Sequence, residues 1–223
     1  MKEHRRLLLI LGAIVAIAPL SIDMYLPSLP QLQKHFSVDA AAVQLTLSTY
    51  FIGMAIGQIF YGPVSDRIGR LLPLYFGMAL FVLASLACVL APSIEALTIA
   101  RVFQALGGCA GIVVVRAIVR DRFEPREMAQ ALSMLLMIMG VAPILAPVFG
   151  AQMLEYFGWQ SIFVVLVAYG LLCILAIRLG LEESWTPPAQ PLRAAHVLGI
   201  YGRLLSHRRF MGFALAGSTA QAG

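Results

Sequence analysis

Two ionisable side chains, Asp23 and Arg101, lie well inside long uncharged stretches of this 223-residue sequence. On insertion scales each costs ~2.5–3.5 kcal/mol at the centre of a spanning helix, so residues of this kind face a cavity and carry function. A carboxylate in such a place takes up and releases a proton, its charge state set by desolvation and by a nearby cation or bound substrate. A guanidinium within reach would be that cation. At 1.5 Å per helical residue, Asp23 stands ~24 Å from the inner end of its apolar run. Arg101 stands ~12 Å from the outer end of its own, which leaves the two ~6 Å apart in depth if both helices face one cavity. The alternatives are a structural ion pair, or an aspartate solvated at the outer interface.

Small residues form a second pattern. Gly53-x-x-x-Gly57 and Gly107-x-x-x-Gly111 permit close helix approach, the ordinary packing device of membrane helices. Gly140, Pro143, Pro147 and Gly150 share one apolar run. Two prolines four apart remove two backbone donors, which predicts a bent or locally flexible helix. Cys88, Cys109 and Cys173 each fall singly in a different run, a pattern of packing residues with no disulfide framework or metal spacing. His4, His35, His196 and His207 lie outside the runs, and no paired carboxylates or nucleophile–base pair occur within them. A membrane-embedded enzyme is therefore disfavoured, and neither a cofactor nor a metal is expected.

The elements that position these residues follow from composition. Hydrophobic residues make up 60% of the chain and charged residues 12%, where a soluble domain carries roughly 25% charged residues. Six apolar runs are long enough to cross ~30 Å of hydrocarbon: approximately 7–29, 42–63, 72–91, 94–116, 130–154 and 160–181. Ser37 and Asp39, Pro92 and Ser93, Glu124 and Pro125, and Gly158 punctuate them as caps and turns. A cleaved signal peptide is disfavoured because Pro19 follows the would-be cut and the apolar run continues to Leu26.

Net charge is +5, but the basic residues sit in short connections and form no nucleic-acid face. With the N-terminus inside, fourteen of the sixteen Lys and Arg residues fall on the inner side. Only Lys34 is outside, and Arg101 is within a span. That asymmetry orients the bundle with a cytoplasmic N-terminus. Residues 182–208, with Glu182, Glu183 and three prolines, form a polar connector. Residues 209–223 open another apolar run, of which Phe210–Gly223 would reach only ~21 Å. The expectation is six spans over 1–181, a connector, and a chain cut inside a seventh helix.

The connection after the second run reads Gly62-Pro-Val-Ser-Asp66-Arg67-Ile-Gly69-Arg70, and it resembles the G-x-x-x-D-R-x-G-R/K loop of the major facilitator superfamily. Arg101-Val-Phe-Gln104-Ala-Leu-Gly107 resembles that family's helix-4 motif. The segment from Gly140 to Ala151 resembles the helix-5 motif of drug/proton antiporters. Ser21-Ile-Asp23-Met-Tyr25-Leu-Pro27 and Arg116-Ala-Ile-Val-Arg120-Asp121 look like the Bcr/CflA drug-resistance subfamily. Leu71, Ala105, Ala146 and Ala151 stand where the family often has a basic residue or glycine.

The resemblance implies an all-α membrane protein: the six-helix N-terminal bundle of a twelve-helix fold, facing a second six-helix half that this chain lacks. Carried over by position, Asp23 is the proton-coupling acid, and Tyr25, Arg101 and Gln104 line the substrate cavity. Gly62, Asp66, Arg67, Gly69 and Arg70 form a conformational latch with Arg116, Arg120 and Asp121. Gly140, Pro143, Pro147 and Gly150 are the antiporter motif. The implied function is proton-driven export of small amphipathic drugs or metabolites across a bacterial inner membrane. Its partners would be the lipid bilayer, protons and a small-molecule substrate. An uptake symporter on the same fold and a non-transporting half are the alternatives.

Overall fold

The computed structural model describes residues 2–185 and Gly212. The chain divides into two units, Met1–Thr186 and Pro187–Gly223. Apart from Gly212 the second lies outside the described residues, and with it nearly all of the expected connector and of the expected start of a seventh span.

The first unit is helical throughout: α1 Lys2–Asp23, a 3-10 turn Leu26–Ser28, α2 Leu29–Phe36, α3 Ala40–Ile68, α4 Leu71–Val89, α5 Ile94–Arg122, α6 Pro125–Phe157 and α7 Gln160–Gly180. Six stretches are long and apolar enough to cross a membrane, the first of them running from Arg6 through α2 to Phe36. The caps are those the sequence announces. Asp39 accepts the Ala42 N–H at 2.8 Å and Ser93 accepts that of Ala96 at 3.3 Å. Gly158 closes α6 at φ +79°, a left-handed conformation that suits glycine.

Two boundaries differ from the sequence reading. The first span is not one helix: α1 stops at Asp23, and the chain passes through the Leu26–Ser28 turn before α2 resumes it. Pro27 and Pro30 remove two amide donors here, and the residue before a proline is disfavoured in α geometry. Secondly, α3, α5 and α6 are longer than the apolar runs, at 29, 29 and 33 residues. At 1.5 Å per residue a 29-residue helix measures ~44 Å, well beyond ~30 Å of hydrocarbon. The excess carries charged residues out of the apolar layer on rigid helix ends. α6 runs unbroken through Pro143 and Pro147.

α5 is the centre of the unit. It packs along α3 and α4 and touches α1, while α7 lies on α4 and α1, and α6 on α1. The most apolar window of α5 is 67% buried, against 11% for α6. Its sequence explains the position: Ala100, Ala105, Gly107, Gly108, Cys109, Ala110 and Gly111 are all buried and all small, so neighbours approach from several sides. A Cβ on Gly107 would stand 2.6 Å from the Gly77 carbonyl oxygen and 2.8 Å from Phe81 Cα, both α4 backbone. One on Gly53 would stand 2.7 Å from the Val102 carbonyl oxygen of α5. The three cysteines are buried separately as packing residues.

Because the atoms facing Gly107 are backbone, they cannot turn aside. Gly107→Ala is expected to force α4 from α5 and cost about 1–3 kcal/mol, read as a lowered unfolding temperature of the full-length protein in detergent. Leu83→Ala, on the exposed side of α4, should stay within about 0.5 kcal/mol of wild type.

Candidate functional site

Two polar clusters stand out from this apolar unit. The first surrounds Arg101, whose side chain is fully buried. Its Nη1 donates to the Ser21 carbonyl oxygen at 3.1 Å and to Gln104 Oε1 at 2.7 Å. Gln104 Nε2 donates in turn to Ser85 Oγ at 2.7 Å, and that hydroxyl donates to the Phe81 carbonyl oxygen. Three rings enclose the guanidinium carbon: Tyr50 at 4.2 Å, Tyr25 at 4.4 Å and Phe163 at 5.9 Å. Tyr25 is pinned by a 2.6 Å hydrogen bond between its hydroxyl and Thr46 Oγ1. Residues of α1, α3, α4, α5 and α7, with Tyr25 from the break after α1, thus converge on one cation. Aromatic faces and dipoles hold it, and no carboxylate among the described residues does. Its Nε and Nη2 are buried without a hydrogen-bond partner.

The expected approach of Asp23 to Arg101 is not made. Ser21 and Tyr25 are one turn apart and share the inward side, whereas Asp23 lies 200° round from Ser21 at 100° per residue. Similarity of depth did not imply a shared face. Asp23 ends α1 partly buried, and its carboxylate has neither hydrogen bond nor ion pair among the described residues.

The second cluster sits where α3, α4 and α5 emerge. Arg70 is fully buried, donating from Nε to Asp121 Oδ2 at 2.7 Å and from Nη1 to Asp66 Oδ1 at 2.6 Å and Ser65 Oγ at 3.0 Å. Arg120 stands outside them, 3.7 Å from Asp66 and 3.9 Å from Asp121. Gly69 takes φ +96°, and a Cβ there would stand 2.7 Å from Glu183 Oε2, so both conformation and space require glycine. Arg67 and Arg116 are left out, contrary to the sequence reading. Arg67 is exposed, turned 100° from Asp66. Arg116 lies a helical turn, ~6 Å, deeper than Arg120, where it lines a cavity with Leu132 and Leu135 of α6.

Two members of this cluster were missed in the sequence. Glu183 accepts the Arg70 N–H at 2.8 Å and the Leu71 N–H at 3.0 Å, capping α4 from beyond α7. Trp185 Nε1 donates to the Asp66 carbonyl oxygen at 2.8 Å, and its ring lies 4.8 Å from the Arg70 guanidinium carbon. Residues 182–185 read as plain polar connector, but they pack on the first unit. The only hint in the sequence was an acid pair with a tryptophan directly after the last span. Burial disfavours the charged Glu183 carboxylate, yet backbone N–H groups of Leu71, Arg70, Trp185 and Ser184 outweigh it and hold its pKa below the ordinary 4.5.

Gly150, of the helix-5 pattern, packs on the chain just after α1, with a Cβ 2.8 Å from Met24 Cα. Pro143 is exposed and Pro147 partly buried. Gly140 and Gly62 would meet nothing within 4 Å, so nothing in the described bundle requires glycine at either.

Residues 11–222 match the family model described as the Major Facilitator Superfamily. The chain belongs to the major facilitator superfamily. It is 43% identical over 217 residues to an uncharacterized MFS-type transporter, YdgK, of Bacillus subtilis, covering 96% of this chain and 54% of that protein. A bicyclomycin resistance protein homolog of Haemophilus influenzae is 30% identical over 217 residues, 97% of this chain and 54% of the relative. The multidrug resistance protein MdtL of Escherichia coli is 37% identical over 186 residues, 83% and 47%. The chain thus spans about half the length of these relatives. Among solved structures, a bacterial homolog of the human lysosomal transporter Spinster, inward-facing and occupied, superposes with a TM-score of 0.73 at 21% identity, over 86% of this chain and 47% of that one. A peptide transporter, POT, in complex with sulfate superposes at 0.70 and 19%, over 94% and 45%. These fix the major facilitator fold of the six helices.

Two expectations follow for the charge cluster. Arg70→Lys leaves one ammonium where a fork bridged Asp66 and Asp121. Breaking a buried pair on this scale costs about 3–5 kcal/mol, and Trp185 emission should shift to the red in a Trp159→Phe background. Glu183, with its pKa lowered, stabilises the fold fully above pH 4.5 and loses that contribution as pH falls through its folded-state value. The stability gap between wild type and Glu183→Gln should therefore be flat from neutral pH to about 5 and close below 4.5, as measured by thermal unfolding against pH.

Proposed function

We propose that the chain is the proton-coupling half of an antiporter that exports small amphipathic drugs or metabolites across a bacterial inner membrane, with its N-terminus in the cytoplasm. The observation that carries this reading is the contrast at the α1 break. Arg101 is buried with two donors uncommitted and no carboxylate beside it, while Asp23 carries no partner among the described residues. A carboxyl that no cation holds is free to exchange protons. A guanidinium that no carboxylate among the described residues neutralises makes the local potential respond to charge brought close to it. In the proposed cycle Asp23 takes a proton from outside, the carrier rocks inward, and substrate binding near Tyr25, Arg101 and Gln104 accompanies release of the proton. The names of the bicyclomycin and multidrug resistance relatives support a drug-like substrate class.

The cluster around Arg70 is the latch in this reading: opposite charges on the ends of three helices, partly buried, favour one state and part on rocking. α3 and α6 are the faces that would meet a second six-helix half. Both are mostly unburied, with Phe51, Ile52, Met137 and Ile144 exposed, and Gly62 and Gly140 sit on them with open space where a side chain would be. The positive residues near the helix ends support the orientation.

The decisive substitution is Asp23→Asn in the full-length protein reconstituted in vesicles, assayed with a bicyclomycin-type or cationic drug under an imposed pH gradient. The expected result is loss of gradient-driven efflux with drug binding retained. Efflux at the wild-type rate that still follows the pH gradient would sink the coupling role.

A further inference from the structure

Between the ends of α1, α5 and α7 lies a cavity of about 280 Å³ that neither polar cluster uses. Its walls carry three arginines, Arg6, Arg122 and Arg178, and one acid, Glu182. Two of the guanidinium groups are fixed by backbone. Arg6 Nη2 donates to the Leu179 carbonyl oxygen at 2.8 Å, and Arg122 Nη2 to the Glu182 carbonyl oxygen at 3.0 Å. Those bonds cover one carbonyl at the end of α7 and one just beyond it that would otherwise repel an anion. Arg178 makes no hydrogen bond among the described residues, and none of the three arginines forms an ion pair there; the ion pairs involve Arg70 and Arg120. Three cations around one carboxylate leave an excess of two positive charges, with most of their N–H groups bonded to no acceptor among the described residues.

Repulsion among fixed guanidinium groups is relieved by an anion placed between them. Guanidinium forks arriving from three helices suit a group with several equivalent oxygens, since each fork binds two of them. The space holds such a group with bridging waters, each taking ~30 Å³. The same helices carry exposed leucines, Leu9 three residues from Arg6 on α1, Leu175 three residues from Arg178 on α7, and Leu179, which itself lines the cavity. We propose that this cavity binds a phosphate group, the chemistry shared by anionic phospholipid headgroups and soluble phosphate esters. The exposed leucines fit the acyl chains of the former, and basic pockets between helices at a membrane face bind headgroups in this way.

Arg178→Gln is the informative variant because it breaks no hydrogen bond or ion pair among the described residues, and Arg126→Gln, exposed and outside the cavity, is its control. The full-length protein in detergent is given phosphatidylglycerol, phosphatidylcholine or inorganic phosphate. Retained lipid is counted by native mass spectrometry, and unfolding temperature is followed in parallel. Phosphatidylglycerol should be retained and should raise the unfolding temperature where phosphatidylcholine does not. Arg178→Gln should weaken that binding roughly tenfold, equivalent to ~1.4 kcal/mol, and Arg126→Gln should leave it unchanged. If inorganic phosphate alone gives the Arg178-dependent stabilisation and displaces the lipid, the site holds and its ligand is a soluble phosphate. Equal binding of both lipids with no effect of phosphate overturns the proposal, as does equal loss in the two variants.

Discussion

A guanidinium buried among apolar helices has no water to turn to, and every helix around Arg101 is placed by that fact. Its N–H groups take a backbone carbonyl from α1 and an amide oxygen from their own helix, and two tyrosines and a phenylalanine close over its faces. These contacts require α1, α3, α4 and α7 to stand close around α5. The small residues of α5 make this possible, because backbone meets backbone at Gly107 and Gly53. Packing and polar satisfaction therefore impose the same requirement: α5 must be thin, and it must be central.

The break after α1 belongs to that arrangement. Tyr25 stands one helical turn beyond Ser21 and so covers Arg101 from the same side, and the prolines that follow end the helix there. Asp23, on the other side of α1, has no partner among the described residues. One helical turn thus sets Tyr25 over the cation and turns Asp23 away from it.

At the emerging helix ends the logic is different, because water is near and opposite charges are present. Arg70 is tied to α3 and α5 through Asp66 and Asp121, and to the segment beyond α7 through Trp185, while Glu183 caps α4. The segment after α7 therefore runs directly across this charge cluster.

The sequence by itself determined the six spans of the described residues, most caps and the small-residue contacts, because each rests on local chemistry. An apolar run of sufficient length must cross the hydrocarbon, an aspartate before a helix caps it, and Asp66 and Arg70 are neighbours one helical turn apart. The side on which a residue faces, and what meets it from 100 residues away, were decided only by tertiary structure. Depth placed Asp23 near Arg101, but the helical angle turned it aside. Arg116 and Arg67 have the right charge and the wrong place, one too deep and one turned outward. Glu183 and Trp185 looked like solvated connector because their partners, Arg70 and Asp66, are more than a hundred residues earlier in the chain. Hydropathy and spacing are one-dimensional, and a cluster built from four helix ends is specified only when packing sets their angles.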